Sequence, residues 1–367
     1  MVTAISLSEL NCDIDLITGS SLKNIKSNRT IAISENNFYF LKKLGIFKSS
    51  KDRMWNCSKM KLYTEENIEE FKEIFDLDNG EKKENIFHMY ENIKMIKLMM
   101  NKIKEIKSIS LFENKKVTKI YNSGLLKNVK FNNKTSKYNL VIICSGYNSS
   151  LINNVFNQKM IENSYKEFAI TTTIKHSSTK NNIARQIFLN DQIFAMLPIS
   201  KNKTSIVWTL KSYMKKKNNF FLKKKIKNYA SNFLKNIKFY SSIENKDLNF
   251  MVRNKYFFER TLLFGDALHL MHPFIGQSFN MTLRDLKCLG KILEKKINLG
   301  LDIGASDVLS EFSKEAKPRN FSFSVGSDIL KRILSFKRAR NDIFKILNKK
   351  NFSKKIVFNI ANKGIRF

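Results

Sequence analysis

The stretch LLFGDALHLMHPFIGQSFNMTLRD, Leu262 to Asp285, constrains this chain more than any other. An apolar run stops at Gly265-Asp266, His272-Pro273 and Gly276-Gln277 follow, and helical spacing takes over near Phe279. The whole chain has only 12 glycines and 3 prolines in 367 residues, so Gly265, Pro273 and Gly276 in one bend mark a special backbone path. A strand ending in Gly-Asp puts a carboxylate at the carboxyl edge of a sheet, where open α/β sheets bind ligands. Asp266 is placed to accept hydrogen bonds from sugar hydroxyls, and Gly276 lets the backbone approach a flat ligand. The helix beginning near Phe279 points free N–H groups at that space and favours an anion there. Asn280, in its first turn, either caps the helix or binds a ligand carbonyl. Pro273 stiffens the connection. Singly, each residue also fits an ordinary strand–loop–helix turn with Asp266 as a cap. In this order they point to a ligand.

Composition removes several function classes. The net charge is +34, from 66 Lys and Arg against 32 Asp and Glu. Lysine outnumbers arginine about five to one and is scattered along the chain, whereas nucleic-acid readers rely on clustered arginine. Specific nucleic-acid binding is therefore not expected, while attraction to anionic lipid headgroups is compatible with the charge. The four cysteines, Cys12, Cys57, Cys144 and Cys288, are far apart and lack any Cys-x-x-Cys pair. They read as reduced thiols, not a disulfide framework or a zinc site. His269 and His272 are the one close histidine pair, too few ligands for a metal. No apolar run approaches the roughly 20 residues of a membrane span, and no signal peptide opens the chain. The expected location is cytoplasmic, with a peripheral position on the inner face of the cytoplasmic membrane.

Periodicity gives a coarse order of elements. The chain opens with helical spacing through Leu10 and strand alternation from Cys12 to Ile17, the back half of a β-α-β unit without its first strand and turn. Its first strand is thus expected upstream of Met1. A loop and an amphipathic helix closed by Gly45 follow over Asn28–Phe47, then a helix over Met89–Ile106 with Met99 and Met100 in the core. Leu140–Cys144 is continuously apolar, as a strand covered on both faces would be. Between Lys159 and Phe257 the pattern becomes an antiparallel sheet with one lysine-rich helix around Lys215–Phe239. Trp55 and Trp208 are expected as buried anchors. Helices are predicted over Met281–Leu293 and from Asp307 to the end, the last with Arg332, Lys337, Arg338 and Arg340 on a solvated face.

Gly-Asp-Ala, His-Pro, Gly-Gln-x-x-Asn and Arg-Asp, in that order from Gly265 to Asp285, resemble the second flavin-binding motif of the FAD-dependent aromatic hydroxylases. NRTIAIS (Asn28–Ser34) is similar to the arginine-containing segment that lies along the FAD in that family. MYENIKM, from Met89, and FAMLPISKNKTSIVWTL (Phe194–Leu210) resemble the ubiquinone-biosynthesis subgroup, as does the tail helix SDILKRIL. The resemblance covers nearly the whole chain. It implies an α/β fold: a discontinuous Rossmann-like FAD-binding domain (1–158 and 258–325), an inserted antiparallel β-rich substrate domain (159–257) and a basic helical tail (326–367). Carried over by position, Asp266 with Gly265 binds the ribityl or pyrophosphate region. Gly276, Gln277 and Asn280 line the isoalloxazine and pyrophosphate, Pro273 and His272 form the ring environment, and Arg29 contacts the cofactor. Gly146 belongs to a segment that serves FAD and the nicotinamide cofactor. The implied chemistry uses FAD, NAD(P)H or another reductant, and O2. A flavin C4a-hydroperoxide hydroxylates a polyprenylated phenol or quinol, in a ubiquinone-biosynthesis complex, and no protein side chain is itself catalytic.

Three departures accompany the resemblance. The Gly-x-Gly-x-x-Gly phosphate turn does not occur in the chain, Thr18 stands where an acidic ribose ligand is expected, and Ser145 replaces the aspartate of an Asp-Gly pair, with Ile152 near the position of a usual arginine. They keep two alternatives open: a flavin-free homologue acting as a scaffold or lipid-binding member of the complex, and a flavoenzyme acting on a soluble aromatic.

Overall fold

In a computed structural model the described residues are 1–48, 54–78, 85–146, 149–156, 160–272 and 276–349, with 354, 358–360, 362 and 364. In chain order the first part comprises α1 (Val2–Ser8), β1 (Ile14–Ile17), β2 (Thr30–Ser34), α2 (Glu35–Lys43), β3 (Trp55–Cys57), β4 (Lys59–Asn67), β5 (Glu70–Asp78), β6 (Phe87–Glu91), α3 (Asn92–Glu105) and β7 (Ile109–Phe112). The middle continues with β8 (Val117–Ser123), β9 (Leu126–Phe131), β10 (Lys134–Tyr138), β11 (Val141–Ile143), α4 (Ser150–Val155), β12 (Met160–Lys175), β13 (Ile183–Leu189), β14 (Gln192–Ser200), β15 (Lys203–Lys211) and α5 (Asn219–Ser231). The last part holds β16 (Lys238–Phe239), β17 (Glu244–Arg253), β18 (Phe257–Phe258), β19 (Thr261–Leu263), β20 (His269–Leu270), α6 (Ser278–Asn298), α7 (Ser306–Ser335) and α8 (Lys337–Lys349).

The parallel layer comes in two pairs. β1 pairs with β7, and β11 pairs with β19 in register Val141↔Thr261 to Ile143↔Leu263. No strand among the described residues joins one pair to the other. A single apolar core nevertheless spans α1, both pairs, α2, α3, α6 and α7, with Ile5, Ile33, Met95, Leu262, Leu289 and Phe312 buried within it. Tyr138, at the end of β10, donates to Asp15 of β1 across 2.6 Å. The expectation that Leu140–Cys144 is covered on both faces is not met. Val141 and Ile142 are only half-buried, and Cys144 is exposed, because one edge of β11 has no neighbour among the described residues.

The large sheet runs β20-β17-β12-β15-β14-β13-β4-β5, antiparallel except between β13 and β4. It therefore extends beyond the inserted segment and recruits β4 and β5 from upstream. Alternation places Phe194, Met196, Ile206 and Trp208 against α5, where Trp208, Phe194 and Tyr229 pack edge to face at centroid distances of 5.4 to 5.9 Å. Trp208 is the buried anchor expected of it, and Met99 and Met100 are buried core residues. Trp55 is only half-buried.

Two local readings are corrected. Residues 30–34, expected as loop, form β2, because the alternating Thr-Ile-Ala-Ile-Ser run pairs antiparallel with β6. The same pairing draws Phe87–Glu91 out of the helix expected from Met89, so α3 starts at Asn92. In the tail, Arg340 is not on the solvated face. It is 1% exposed, donates to Leu334 O at 2.9 Å and Thr64 Oγ1 at 2.7 Å, and lies over the Phe188 ring.

Candidate functional site

β19 is wholly buried, and at its end Phe264 donates to Ile143 O at 3.0 Å. The two parallel strands therefore finish side by side, which places Cys144–Gly146 next to Gly265–Asp266. Gly265 and Gly146 have φ of +62° and +82°, and the space around each would admit a Cβ, so the left-handed backbone is what demands glycine. Residues 265–267 make one tight turn that leaves the Asp266 carboxylate exposed at the sheet edge. Buried Arg253 fixes the turn: its Nε donates to Ala267 O at 2.8 Å and its N–H to Leu268 O at 3.0 Å.

Beyond the turn, β20 pairs with β17, and the two histidines diverge. His269 Nε2 lies 3.2 Å from Asp285 Oδ2, which also accepts from Asn320 Nδ2 at 2.7 Å, so it ties α6 to α7. His272 Nε2 lies 3.2 Å from Glu167 Oε2. Burial holds the His272 imidazole below its ordinary pKa against the pull of Glu167, so it is neutral and donates through Nε2–H. Glu167 also accepts from Lys211 at 3.0 Å and Lys331 at 2.6 Å. Burial alone would raise its carboxyl, but His272, Lys331 and Lys211 outweigh it and hold the pKa at about 2. Four elements meet there: the bulge of β12, the end of β15, the start of the bend, and α7. Sequence reasoning missed this cluster, although a glutamate preceding the apolar run FAITTTI was a visible signal.

Pro273 lies outside the described residues. Gly276 has φ +64°, and a Cβ there would lie 3.8 Å from that of Ala32, so β2 runs directly past the bend. Gln277, at the N-cap of α6, is 2% exposed, and its side-chain Nε2 and Oε1 have no hydrogen-bond partner among the described residues. Asn280 is engaged at both ends of its amide. It accepts from Ser34 N at 2.9 Å and from Asn37 Nδ2 at 3.0 Å, and it donates to Ala32 O at 2.8 Å. Its side chain therefore does not cap α6; it bolts β2 to the helix. Arg29 is exposed at the head of β2, where its carbonyl accepts from Asn92 N at 2.9 Å. Thr18 turns back on its own loop, its hydroxyl donating to Ser20 O at 2.9 Å.

Of the residues singled out from sequence, the structure gathers Gly146, Gly265, Asp266, Gly276, Gln277 and Asn280 along one edge of the parallel layer. It turns His272 toward the large sheet. One further residue joins this edge unannounced. The Lys246 ammonium on β17 is held below the ordinary lysine range by burial first and the Arg29 guanidinium second, with Asp266 acting the other way.

A family model described as squalene epoxidase matches residues 137–354, more than half of the chain. The chain belongs to this family of FAD-dependent monooxygenases. It is 31% identical over 172 residues to the ubiquinone hydroxylase UbiL of Rhodospirillum rubrum, a match covering 46% of this chain but only 40% of that protein. It is 22% identical to the mitochondrial ubiquinone biosynthesis monooxygenase COQ6 of Dictyostelium discoideum, over 95% of this chain and 83% of that one. The fold is that of p-nitrophenol 4-monooxygenase PnpA from Pseudomonas putida, with a TM-score of 0.81 at 13% identity over 100% of this chain and 96% of that one. It is also that of Klebsiella pneumoniae HpxO complexed with FAD and uric acid, with a TM-score of 0.75 at 13% identity over 99% and 92%. The family's flavin fits the residues here. The buried Gln277 amide, without a partner among the described residues, offers a donor and an acceptor, the left-handed Gly146, Gly265 and Gly276 keep the backbone at this edge bare, and Asp266 offers an exposed carboxylate to sugar hydroxyls.

Proposed function

We propose that this protein is a FAD-dependent monooxygenase that hydroxylates the aromatic ring of a polyprenylated phenol or quinol in ubiquinone biosynthesis. The observation that carries the reading is the Gln277 amide, buried beside Gly276 with neither polar atom paired among the described residues. Leaving such a group unmet costs about 1–3 kcal/mol per atom, and a ring edge with its own donors and acceptors removes that cost. FAD, when bound, supplies the activation of O2 and the oxygen transfer.

The chain's own residues bind and orient. Asp266 accepts hydrogen bonds from the sugar-like chain of the cofactor, and Arg253 keeps that carboxylate at the edge by holding its turn. Gln277 and the free N–H groups at the start of α6 would hold the flavin, favouring electron-rich atoms there. Asn280, through Ala32 O, fixes β2 against α6 and so holds the backbone beside Gln277 in place. The kinship with UbiL and COQ6 supports the substrate class. So do exposed Ile333 and Phe336, which lie among Arg332, Lys337 and Arg338 and suit a lipid-borne substrate at an anionic surface.

The test is an absorption spectrum of the purified protein with added FAD, followed by turnover of a short-chain prenylphenol against a benzoate. Flavin binding with prenylphenol hydroxylation is expected. Benzoate turnover would move the substrate to the soluble aromatics. Folded protein that binds no flavin would leave the scaffold reading in its place.

A further inference from the structure

We infer that Glu167 is a positioning residue for the bend between β20 and α6: by accepting from His272 it fixes the strand end of that bend and so sets where Gly276 and Gln277 meet a flavin, an inference that rests on the flavoprotein reading above. The bend is held at two points. At its helix end Asn280 bonds Ser34 N and Ala32 O and fixes the first turn of α6. At its strand end the ladder between β17 and β20 stops at Leu270, and Met271 turns into a small apolar cluster with Met281 and Phe323. His272 comes next, and its bond to Glu167 Oε2 at 3.2 Å ties the chain to the large sheet. Gly276 follows four residues on, a span of at most about 14 Å, so the path of the bend depends on where His272 is held.

β12 departs from regular pairing to deliver this carboxylate. Ser164 and Glu167 face adjacent residues of β17, Asn249 and Leu248, so Tyr165 and Lys166 are extra residues in a bulge. Lys166 has φ +50°, a left-handed backbone that a residue with a long side chain rarely takes. The bulge presents two side chains to His272 at once. The Tyr165 ring meets the imidazole edge-on at a centroid distance of 5.1 Å, and Glu167 accepts from Nε2. Two lysines hold the carboxylate in turn. Lys211 faces Glu167 across the β12–β15 ladder and donates to Oε1 at 3.0 Å. Lys331 of α7 donates to Oε2 at 2.6 Å while lying over the Tyr165 ring. Both carboxylate oxygens are engaged and the side chain is 5% exposed, so its place is fixed independently of His272. Apolar contacts would join these elements as firmly, since a buried ion network is weak evidence of stability. What the carboxylate adds is direction, because it accepts along set lines and places one ring nitrogen. Such direction matters where a backbone path has to be held for a ligand.

The test compares two charge-balanced double variants, Glu167→Gln with Lys331→Met and Glu167→Leu with Lys331→Met. Both lose the carboxylate and its tie to α7, and they differ in whether an oxygen remains to accept from His272. His272→Phe removes the donor by a separate route that leaves the lysines paired. Each would be followed by FAD titration and, on the flavin-free protein, by amide hydrogen exchange at Gly276 and Gln277, with urea midpoints to confirm folding. The Gln variant should stay within about twofold of wild type, whereas the Leu variant and His272→Phe should bind FAD about tenfold more weakly, the size of one lost hydrogen bond. Exchange at Gly276 and Gln277 should quicken in those two alone. A role confined to joining elements predicts equal losses in the Gln and Leu variants, because both cut the ion network alike, and that result overturns the inference. Wild-type affinity and exchange in the Leu variant or in His272→Phe overturn it as well. Should the Leu variant fail to fold, the contrast between the Gln variant and His272→Phe decides. Wild-type protein that binds no FAD overturns the flavoprotein reading, and exchange at Gly276 and Gln277 then decides the positioning role by itself.

Discussion

Asn280 shows how a residue at a binding edge is committed to structure. Its amide joins the backbone of Ala32 and Ser34 to α6, and truncation strands a buried carbonyl and a buried N–H together. Asn280→Ala is expected to destabilise the fold by about 2–4 kcal/mol, read from urea unfolding, because unmet buried groups cost about 1–3 kcal/mol each. Glu167 gives a pH dependence with a defined sign. Its folded pKa of about 2 lies below the ordinary 4.5, so the unfolded chain takes up the proton first. The stability it contributes is complete above pH 4.5, drains as pH falls toward 2, and amounts to on the order of 3 kcal/mol. Urea midpoints across that window should fall more steeply for wild type than for Glu167→Gln; parallel curves would contradict the assignment. At this scale the sequence was legible only where a residue type has few uses. Gly265, Gly276 and Asp266 stood out because apolar runs rarely end that way. Lys246 carried no signal, since it is one of many lysines and its neighbours come from distant parts of the chain. Asn280 was found, but its bond to β2 was not: an amide in a first turn looks like a cap until β2 is known to lie against it.

Among the elements, those with a strong internal period were readable and those defined by a partner were not. α6 shows nine buried positions at helical spacing, and the alternation of β14 and β15 follows the pleat. β2 and β6 each needed the other: alone, five residues of mixed polarity do not declare a strand, and pairing is what settles them. The recruitment of β4 and β5 into the large sheet is likewise a long-range event that periodicity cannot register. The tail helices make the same point. α8 reads as basic and solvated, yet Arg340 reaches back to Thr64 on β4 and, with Phe344 against Phe75 and Phe188, fastens the tail to the sheet. Arg340→Ala is expected to lose about 2–3 kcal/mol of docking. Limited proteolysis should then cut between α7 and α8, near Phe336, well before the rest of the chain. Unchanged cleavage would mean that the aromatic contacts hold α8 by themselves.

Over the whole molecule, the parallel layer is two pairs joined by a shared core and not by a continuous ladder. That division has a signature in amide hydrogen exchange. Ile14 and Thr18 donate toward the β7 side, to Ser108 O at 2.8 Å and Phe112 O at 2.9 Å, so the amides of Asp15 and Ile17 between them point the opposite way. Val141 donates to Arg260 O at 2.9 Å, which turns the amide of Ile142 toward the other edge of β11. None of these three N–H groups has a partner among the described residues, whereas their immediate neighbours are locked in ladders. Asp15, Ile17 and Ile142 should therefore exchange orders of magnitude faster than Ile14, Thr18 and Val141, although all six lie beside one apolar core. Any extended segment that came to lie along those edges would slow the three fast amides together and leave the other three as they were. Three protons thus report whether the central layer of this protein is open or closed, independently of any cofactor bound at its edge.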